Sequence, residues 1–373
     1  MSDRIKLFFC TDGIFPHAVG GMQRHSLLLI TELAKYDNLE IFVIHPHADV
    51  QIFRDQTNIK EVVIPVEFTS GYYLQKCYQY SKEVYRHVSE HPDAIIYSQG
   101  LSAWYRANEL SNRLIVNPHG LEPYQTLSLK DRILGTPFRM IFNHIFKRAR
   151  YVVALGGKLT NILTGISGSS KVVVLPNAVN ELPRTTKKYD DNKTRFLFVG
   201  RFAFNKGIDV LINAVHELNN EGKGDDLEFF FVGKGPLYDK YVNSYSYPNL
   251  HYMGFADDDQ LNELYGSCHA FILPTLFEGM PTVVLEAMMH DMAIIVTDVG
   301  ATREMVDERN GYIIEKNDVT SLKKAILEYT SLTEAEKKQL GDNSYQKVTS
   351  RFTWKMVAEK HHQLFTSLKQ ELS

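Results

Sequence analysis

Two α/β domains, each a mostly parallel sheet covered by helices, are what this sequence predicts, and three observations predict them. The chain has 373 residues, more than one ordinary core holds and well suited to two domains of roughly two hundred residues or fewer. Short runs of β-branched and aromatic residues alternate with amphipathic stretches through both halves, the pattern of parallel strands covered by helices. Between the halves, residues 180–193 are polar, charged and proline-containing, with no apolar periodicity, which marks a linker.

Taken in order, the first half offers strands at residues 5–10, 40–44, 61–66, 94–98, 114–117, 151–154 and 171–175. The second offers them at 195–199, 227–232, 250–253, 270–273, 293–297 and 311–314. The expected organisation is a first domain over 1–180, a linker over 181–193, a second domain over 194–350 and a terminal helix over 351–373. The tail from 333 onward is helical in period, and Phe352, Trp354, Val357 and Leu364 supply an apolar face that must dock; the terminal helix is expected to cross over and pack back on the first domain.

Composition excludes several classes. Hydrophobic residues make up 44% and charged residues 23% of the chain, and no apolar run approaches the roughly 20 residues that span a bilayer. The N-terminus reads as a first strand rather than a signal peptide, and three widely spaced cysteines, Cys10, Cys77 and Cys268, suit a reducing compartment better than a disulfide framework or a zinc cluster. A cytoplasmic protein without a nucleic-acid partner is expected. The net charge of −3 hides an asymmetry: residues 1–180 carry 19 Lys and Arg against 15 Asp and Glu, the remainder 22 against 29.

Four segments carry chemistry. After the first strand comes Thr11-Asp12-Gly13, and then Gly20-Gly21 just before a helix; paired glycines let a backbone approach a phosphate or sugar and present free N–H groups to it, and they serve ordinary turns as well. The dinucleotide spacing Gly-x-Gly-x-x-Gly is missing, which weakens a dehydrogenase reading. At the end of a buried-looking strand stands Asn117-Pro118-His119-Gly120, where open α/β sheets hold ligands; His119 reads equally as a structural residue. The second domain opens with Gly200-Arg201 and then Lys206-Gly207, two cations across a strand-to-helix turn that suit one diphosphate, or else two solvated loop charges. The sharpest signal runs from Pro274 through Glu278-Gly279-Met280-Pro281-Thr282-Val283 to Glu286: a strand end, a turn, a proline near the first helical position, and free N–H groups of Thr282 and Val283 between two carboxylates able to accept sugar and ribose hydroxyls.

Together these residues resemble glycosyltransferase family 4, the retaining GT-B enzymes with two Rossmann-like, doubly wound domains and an interdomain cleft. The resemblance is carried by Gly20-Gly21, His119-Gly120, Gly200-Arg201, Lys206-Gly207 and the Glu278/Glu286 pair, with Pro176-Asn177, Val232-Gly233-Lys234-Gly235-Pro236, Asp298-Val299-Gly300 and Arg351-Phe352-Thr353-Trp354 in support. It implies a nucleoside-diphosphate sugar as donor, UDP-sugar ahead of GDP-sugar, and no cofactor. Arg201 and Lys206 would bind the diphosphate, Glu278 the transferred sugar, Glu286 the ribose and His119 the sugar near its reacting carbon. Gly20 and Gly21 would close on the phosphates, Gly279, Met280, Thr282 and Val283 would line the donor, and the loop around Phe255 would flank the base. Pro281, Ala301 and Ala178 depart from glycines common in the family.

The expected reaction is retaining transfer, with Arg201, Lys206 and the helix N-terminus stabilising the departing diphosphate in place of a metal. Asp257-Asp258-Asp259 contains Asp-x-Asp, yet it opens a helical stretch and reads as its cap. Residues 126–150 hold six Lys and Arg against one acid, interleaved with apolar residues from Leu127 to Phe146, so the stretch either rests on an anionic membrane or packs into its domain. A glycan or lipid-linked acceptor is implied, with no residue assigned to it; Tyr72, Tyr73, Tyr78, Tyr80 and Tyr85 read as core packing or as an acceptor surface. A GT-B sugar-nucleotide epimerase or hydrolase and a non-catalytic sugar-nucleotide-binding module are the rival readings.

Overall fold

A computed structural model describes residues 4–68, 72–125, 128–184 and 193–372. The chain divides into two units, one formed by Met1–Ala178 with Trp354–Ser373, the other by Val179–Thr353. The expected linker over 181–193 lies mostly outside the described residues.

The first unit holds seven parallel strands: β1 (Ile5–Cys10), β2 (Leu39–His45), β3 (Ile59–Val63), β4 (Ile95–Gln99), β5 (Leu114–Asn117), β6 (Tyr151–Ala154) and β7 (Val172–Val174), in the order β3-β2-β1-β4-β5-β6-β7. The second holds six: β8 (Thr194–Val199), β9 (Leu227–Val232), β10 (Leu250–Gly254), β11 (Ala270–Leu273), β12 (Ala293–Thr297) and β13 (Gly311–Ile314), in the order β10-β9-β8-β11-β12-β13. Both are doubly wound: strand order reverses between β1 and β4 and between β8 and β11, and ligands in such sheets bind outside the carboxyl ends at that reversal.

The hydrophobicity of these strands follows from burial on both faces. Every residue of β4, β5, β11 and β12 is buried, as helices on both sides of a parallel sheet require. In the second unit an aromatic layer lies on one face, with Phe196 and Phe229, register partners on β8 and β9, stacked at 5.2 Å, a cross-strand pair of the kind that stabilises sheets.

The C-terminal tail is two helices, and they part close to the expected start of the terminal helix at residue 351. Glu334–Arg351 ends at Phe352, and Trp354–Leu372 begins two residues later. Thr353, between them, bridges to Val179 in parallel, and Val179 N–H donates to Phe352 O at 2.9 Å. Trp354, Val357, Ala358, Phe365 and Leu368 then enter the core built by β1, β2 and the helix Gly21–Leu33. The last helix is a piece of the first unit supplied from the far end of the chain.

The basic stretch also divides in two, at Gly135: helices Leu129–Leu134 and Thr136–Arg148. Phe142, Ile145 and Phe146 are buried, whereas Leu129, Ile133, Leu134 and Met140 are 64–78% exposed. Leu127 lies outside the described residues.

Candidate functional site

In the second unit the site grows out of the loops after β8 and β11. These strands pair only at Phe196 with Ala270 and Leu197 with Phe271, whereas β8 stays in register with β9 along its whole length. The split opens toward the carboxyl ends. After β8, Gly200 is followed by exposed Arg201 and buried Phe202, a 3-10 turn at Phe204–Lys206, and Gly207, which caps the turn and starts the helix Ile208–Asn220. Gly207 has φ +66°, and a Cβ there would stand 1.9 Å from Pro274 O, so only glycine lets the two loops close up.

Other bonds stitch the same loops. Asn205 O accepts from Leu276 N–H and from the Thr275 hydroxyl, both at 2.8 Å. Lys206 Nζ forms an ion pair with Glu278 Oε1, and both side chains are largely buried, so the pair is screened less than a surface bridge. Gly300, at φ +52°, holds the Glu278 turn from below: its Cβ position lies 2.3 Å from the carbonyl oxygens of both Glu278 and Gly279. Ala301 donates to Gly279 O at 2.9 Å with φ −105°, an ordinary conformation that alanine adopts without strain.

The helix Thr282–Met289 follows, with Pro281 as its N-cap and no side-chain cap. A proline at this place removes no helical hydrogen bond, and the first-turn N–H groups of Thr282 and Val283 have no intrahelical acceptor. Met280 is buried. Glu286, one turn in, sits among buried Val284, Leu285, Ala287 and Met288; the Tyr265 hydroxyl donates to its Oε2 at 3.0 Å, which accounts for a carboxylate inside an apolar run.

Toward the outer edge, Gly200 N–H donates to Val232 O at 3.0 Å, Phe202 N–H to Lys234 O at 3.1 Å and Gly233 N–H to Gly254 O at 2.6 Å. This continuous backbone floor leads from Arg201 to Phe255, which is 81% exposed beyond β10. Two strand spacings, about 10 Å, separate β8 from β10, a span suited to a nucleoside attached to a diphosphate. Asp257 caps the helix Asp258–Ser267 in a capping box with Gln260, so the first acid of the Asp-x-Asp run is engaged as a cap. Among the described residues no group of three or more His, Cys, Asp or Glu is arranged to hold a metal.

In the first unit the loop after β1 leads to Gly20, extended at φ 162°, and to Gly21, where a Cβ would meet nothing within 4 Å. Nothing within the unit demands glycine at 21, and the space it leaves opens before the helix N-terminus. Asp12, passed over in the site reading of the sequence, is half-buried beside Gln23 and Tyr73; burial pushes its carboxyl up to about 6, against the hydrogen bonds that lower it. A carboxyl group away from the helical motifs leaves no sequence signal, and only its surroundings single it out.

His119 stands at φ +60° after β5, its N–H donating to Asn117 Oδ1 at 3.0 Å. Asn117 Nδ2 donates to the Tyr97 oxygen at 3.0 Å, and Tyr97 lies 2.9 Å from His361 Nε2 on the last helix. His361 Nδ1 is 2.8 Å from Val357 O; since a carbonyl only accepts, Nδ1 carries the proton and Tyr97 donates to Nε2. Donation thus runs one way, from the His119 N–H through Asn117 and Tyr97 to His361 and Val357 O on the C-terminal helix. The His119 ring meets Gln99 through Nε2 and packs edge-on against His25, centroids 4.6 Å apart. Burial lowers the pKa of His119 to about 3 and of His361 to about 4, and carries that of buried His25 well below its ordinary value.

These shifts predict acid sensitivity. A histidine held neutral in the fold contributes stability above its unfolded pKa of about 6.5, and loses it as pH falls, because the unfolded chain takes up protons that the folded one refuses. His25, His119 and His361 each steepen that loss below this point; Asp12, with a raised pKa, opposes them with one proton. The urea midpoint of the first unit should therefore fall between pH 7 and pH 5, and His361→Gln should shrink the fall. An unchanged midpoint would contradict the buried neutral histidines.

Thus the fold joins Lys206 directly to Glu278, sets Gly279 and Met280 on the same turn, and starts a helix there with Thr282 and Val283. Arg201 and Phe255 lie along the adjoining floor. Gly20, Gly21 and His119 belong to the carboxyl edge of the first unit. Sequence reasoning missed Gln99, Tyr97, His361, Thr275 and Tyr265; polar residues ending or facing fully apolar strands, as Gln99 does, were the available signal.

Residues 19–181 match the family model for Glycosyltransferase Family 4, and residues 193–331 the one for Glycosyl transferases group 1. An uncharacterised glycosyltransferase of Methanocaldococcus jannaschii is 29% identical over 291 residues, 76% of this chain and 77% of that one. One of the subunits of the Homo sapiens phosphatidylinositol N-acetylglucosaminyltransferase is 22% identical over 379 residues, 97% of this chain and 76% of that one. Among solved structures, the sucrose-phosphate synthase of Thermosynechococcus elongatus superposes with TM-score 0.78 at 17% identity, covering 99% of this chain and 100% of that one. The Anabaena HepE protein in complex with UDP-glucose does so with TM-score 0.70 at 15% identity, covering 98% and 100%. Two doubly wound parallel units with these relatives define a glycosyltransferase of the GT-B type. The chain belongs to glycosyltransferase family 4.

Proposed function

We propose that the chain moves a sugar from a nucleoside-diphosphate sugar, a UDP-sugar ahead of a GDP-sugar, to a glycan or lipid-linked acceptor with retention of anomeric configuration, in surface polysaccharide or glycolipid synthesis. The observation that carries the reading is the Lys206–Glu278 pair at the split between β8 and β11. An arriving diphosphate competes with the carboxylate for Lys206, is gripped also by Arg201 and the N–H groups of Thr282 and Val283, and leaves Glu278 to accept hydroxyls of the sugar. As the bond to the anomeric carbon breaks, the same cations and helix N-terminus stabilise the charge growing on the leaving group, with no metal required. Glu286 receives the ribose, and Phe255 flanks the base. Neutral His119 hydrogen-bonds the transferred sugar near its reacting carbon, and Gly20 and Gly21 leave the backbone open to the phosphates. UDP-glucose in the HepE complex supports the choice of donor.

The test is a thermal-shift panel of UDP, GDP, ADP and their sugars, followed by incubation of the stabilising donor with glycan and lipid acceptors. A glycosylated acceptor with retained configuration is expected. Inverted product, an epimerised free sugar, or binding without turnover would each replace the reading with another.

The acceptor side includes a surface. Leu129 and Ile133, four residues apart on one helical face, are exposed with Leu134 and Met140 beside Lys130 and Arg132, a combination that suits insertion at an anionic bilayer from the cytoplasmic side. No helix among the described residues is long and apolar enough to cross one. Sedimentation with vesicles of phosphatidylcholine and phosphatidylglycerol should capture the chain, and replacing Leu129, Ile133, Leu134 and Met140 with Ser should release it. Equal capture of the quadruple variant would remove this surface.

A further inference from the structure

Gln99 ends β4 fully buried. Its register partner on β5 is Asn117, and Gly100 N–H donates to Asn117 O at 2.9 Å, so the two strand ends are locked together and hold the His119 turn over the Gln99 side chain. The Gln99 carboxamide makes one hydrogen bond among the described residues, through Oε1 to His119 Nε2, while its Nε2 has no partner. Around the same ring, both nitrogens of His25 and Nε1 of Trp354 are likewise buried without partners, and the His25 ring stands edge-on to both His119 and Trp354. A leucine would end this strand without stranding a buried amide; what glutamine adds is its bond to His119.

A carboxamide oxygen can only accept, so the His119 ring must donate from Nε2 and keep its lone pair on Nδ1. We propose that Gln99 is a positioning residue for His119, holding it as the single neutral tautomer in which Nδ1 accepts a hydrogen bond from a hydroxyl of the transferred sugar. The edge of the His25 ring restricts rotation of the His119 plane, and the Tyr97–Asn117 bonds fix its backbone. The inference rests on the reading of His119 as a sugar contact, and it adds a specificity: the donor sugar must present a hydroxyl hydrogen to Nδ1, so a sugar deoxygenated at that position is a poor donor.

The test uses the full chain labelled with 15N-histidine, with long-range proton–nitrogen correlations of His119 assigned through His119→Gln. The wild-type ring should show the Nε2-protonated neutral pattern at pH 7 and keep it to pH 5. In Gln99→Met the pattern should average toward both tautomers, with kcat lowered about tenfold, the equivalent of one oriented hydrogen bond, and donor KM within about twofold. In Gln99→Glu, nearly isosteric and so a check on folding, the carboxylate should let the ring protonate between pH 7 and pH 5, and the rate should fall with it. An Nδ1-protonated ring in the wild type, or an unchanged tautomer and kcat in Gln99→Met, would overturn the proposal. Wild-type transfer by His119→Ala would instead overturn the sugar contact, which the ring spectra of the Gln99 variants do not depend on.

Discussion

Glu278→Gln is expected to lower sugar transfer about a hundredfold or more, a loss of roughly 2.7 kcal/mol of transition-state stabilisation, while nucleoside-diphosphate affinity stays within about threefold or tightens. The substitution keeps volume and shape in a turn that Gly300 supports closely, so folding should survive. Lys206 and Glu278 form an ion pair; under the proposed function the diphosphate would compete with Glu278 for Lys206, so removing the carboxylate charge would free the cation for the nucleotide. What would be lost is the carboxylate proposed to accept hydroxyls of the sugar. Turnover with the true donor and calorimetric binding of the diphosphate measure the two halves separately, and wild-type turnover would withdraw Glu278 from the sugar.

Arg201→Met should have the opposite signature. The Arg201 side chain is exposed and makes no hydrogen bond or ion pair among the described residues, so its removal should leave the melting temperature unchanged. Loss of a charge-assisted, bidentate contact to phosphate is expected to weaken diphosphate binding about tenfold to a hundredfold and to lower kcat as well, since the charge on the leaving group grows as the bond breaks. Unchanged diphosphate affinity would remove Arg201 from the phosphate site. Together the two variants would separate the residue proposed to hold the nucleotide from the residue proposed to hold the sugar.

All thirteen strands of the two sheets were legible in the sequence, most plainly where burial on both faces writes a strand as an apolar run: those at Leu114–Asn117, Tyr151–Ala154 and Ala293–Thr297 begin and end where the residues say they should. The sequence also pointed to Lys206 and Glu278, whose glycine and proline neighbours announce loops at strand ends, and to the capping role of Asp257. What it could not determine depends on neighbours remote along the chain. A terminal helix over 351–373 packing back on the first domain was legible from its apolar face, but the partners that hold its start, the Thr353 bridge to Val179 and the core that Trp354 and Phe365 enter, were not. The basic stretch shows one apolar pattern in sequence, yet Phe142, Ile145 and Phe146 are buried while Leu129, Ile133, Leu134 and Met140 are exposed, since periodicity reports a face and not what covers it. The His119 network is the clearest case: Tyr97 and His361 stand 264 positions apart, and their hydrogen bond, like that of Gln99 to His119, exists only once β4, β5 and the final helix meet. Local pattern decides which segments form; burial and the pairing of buried polar groups, which are tertiary properties, decide what each side chain is there to do.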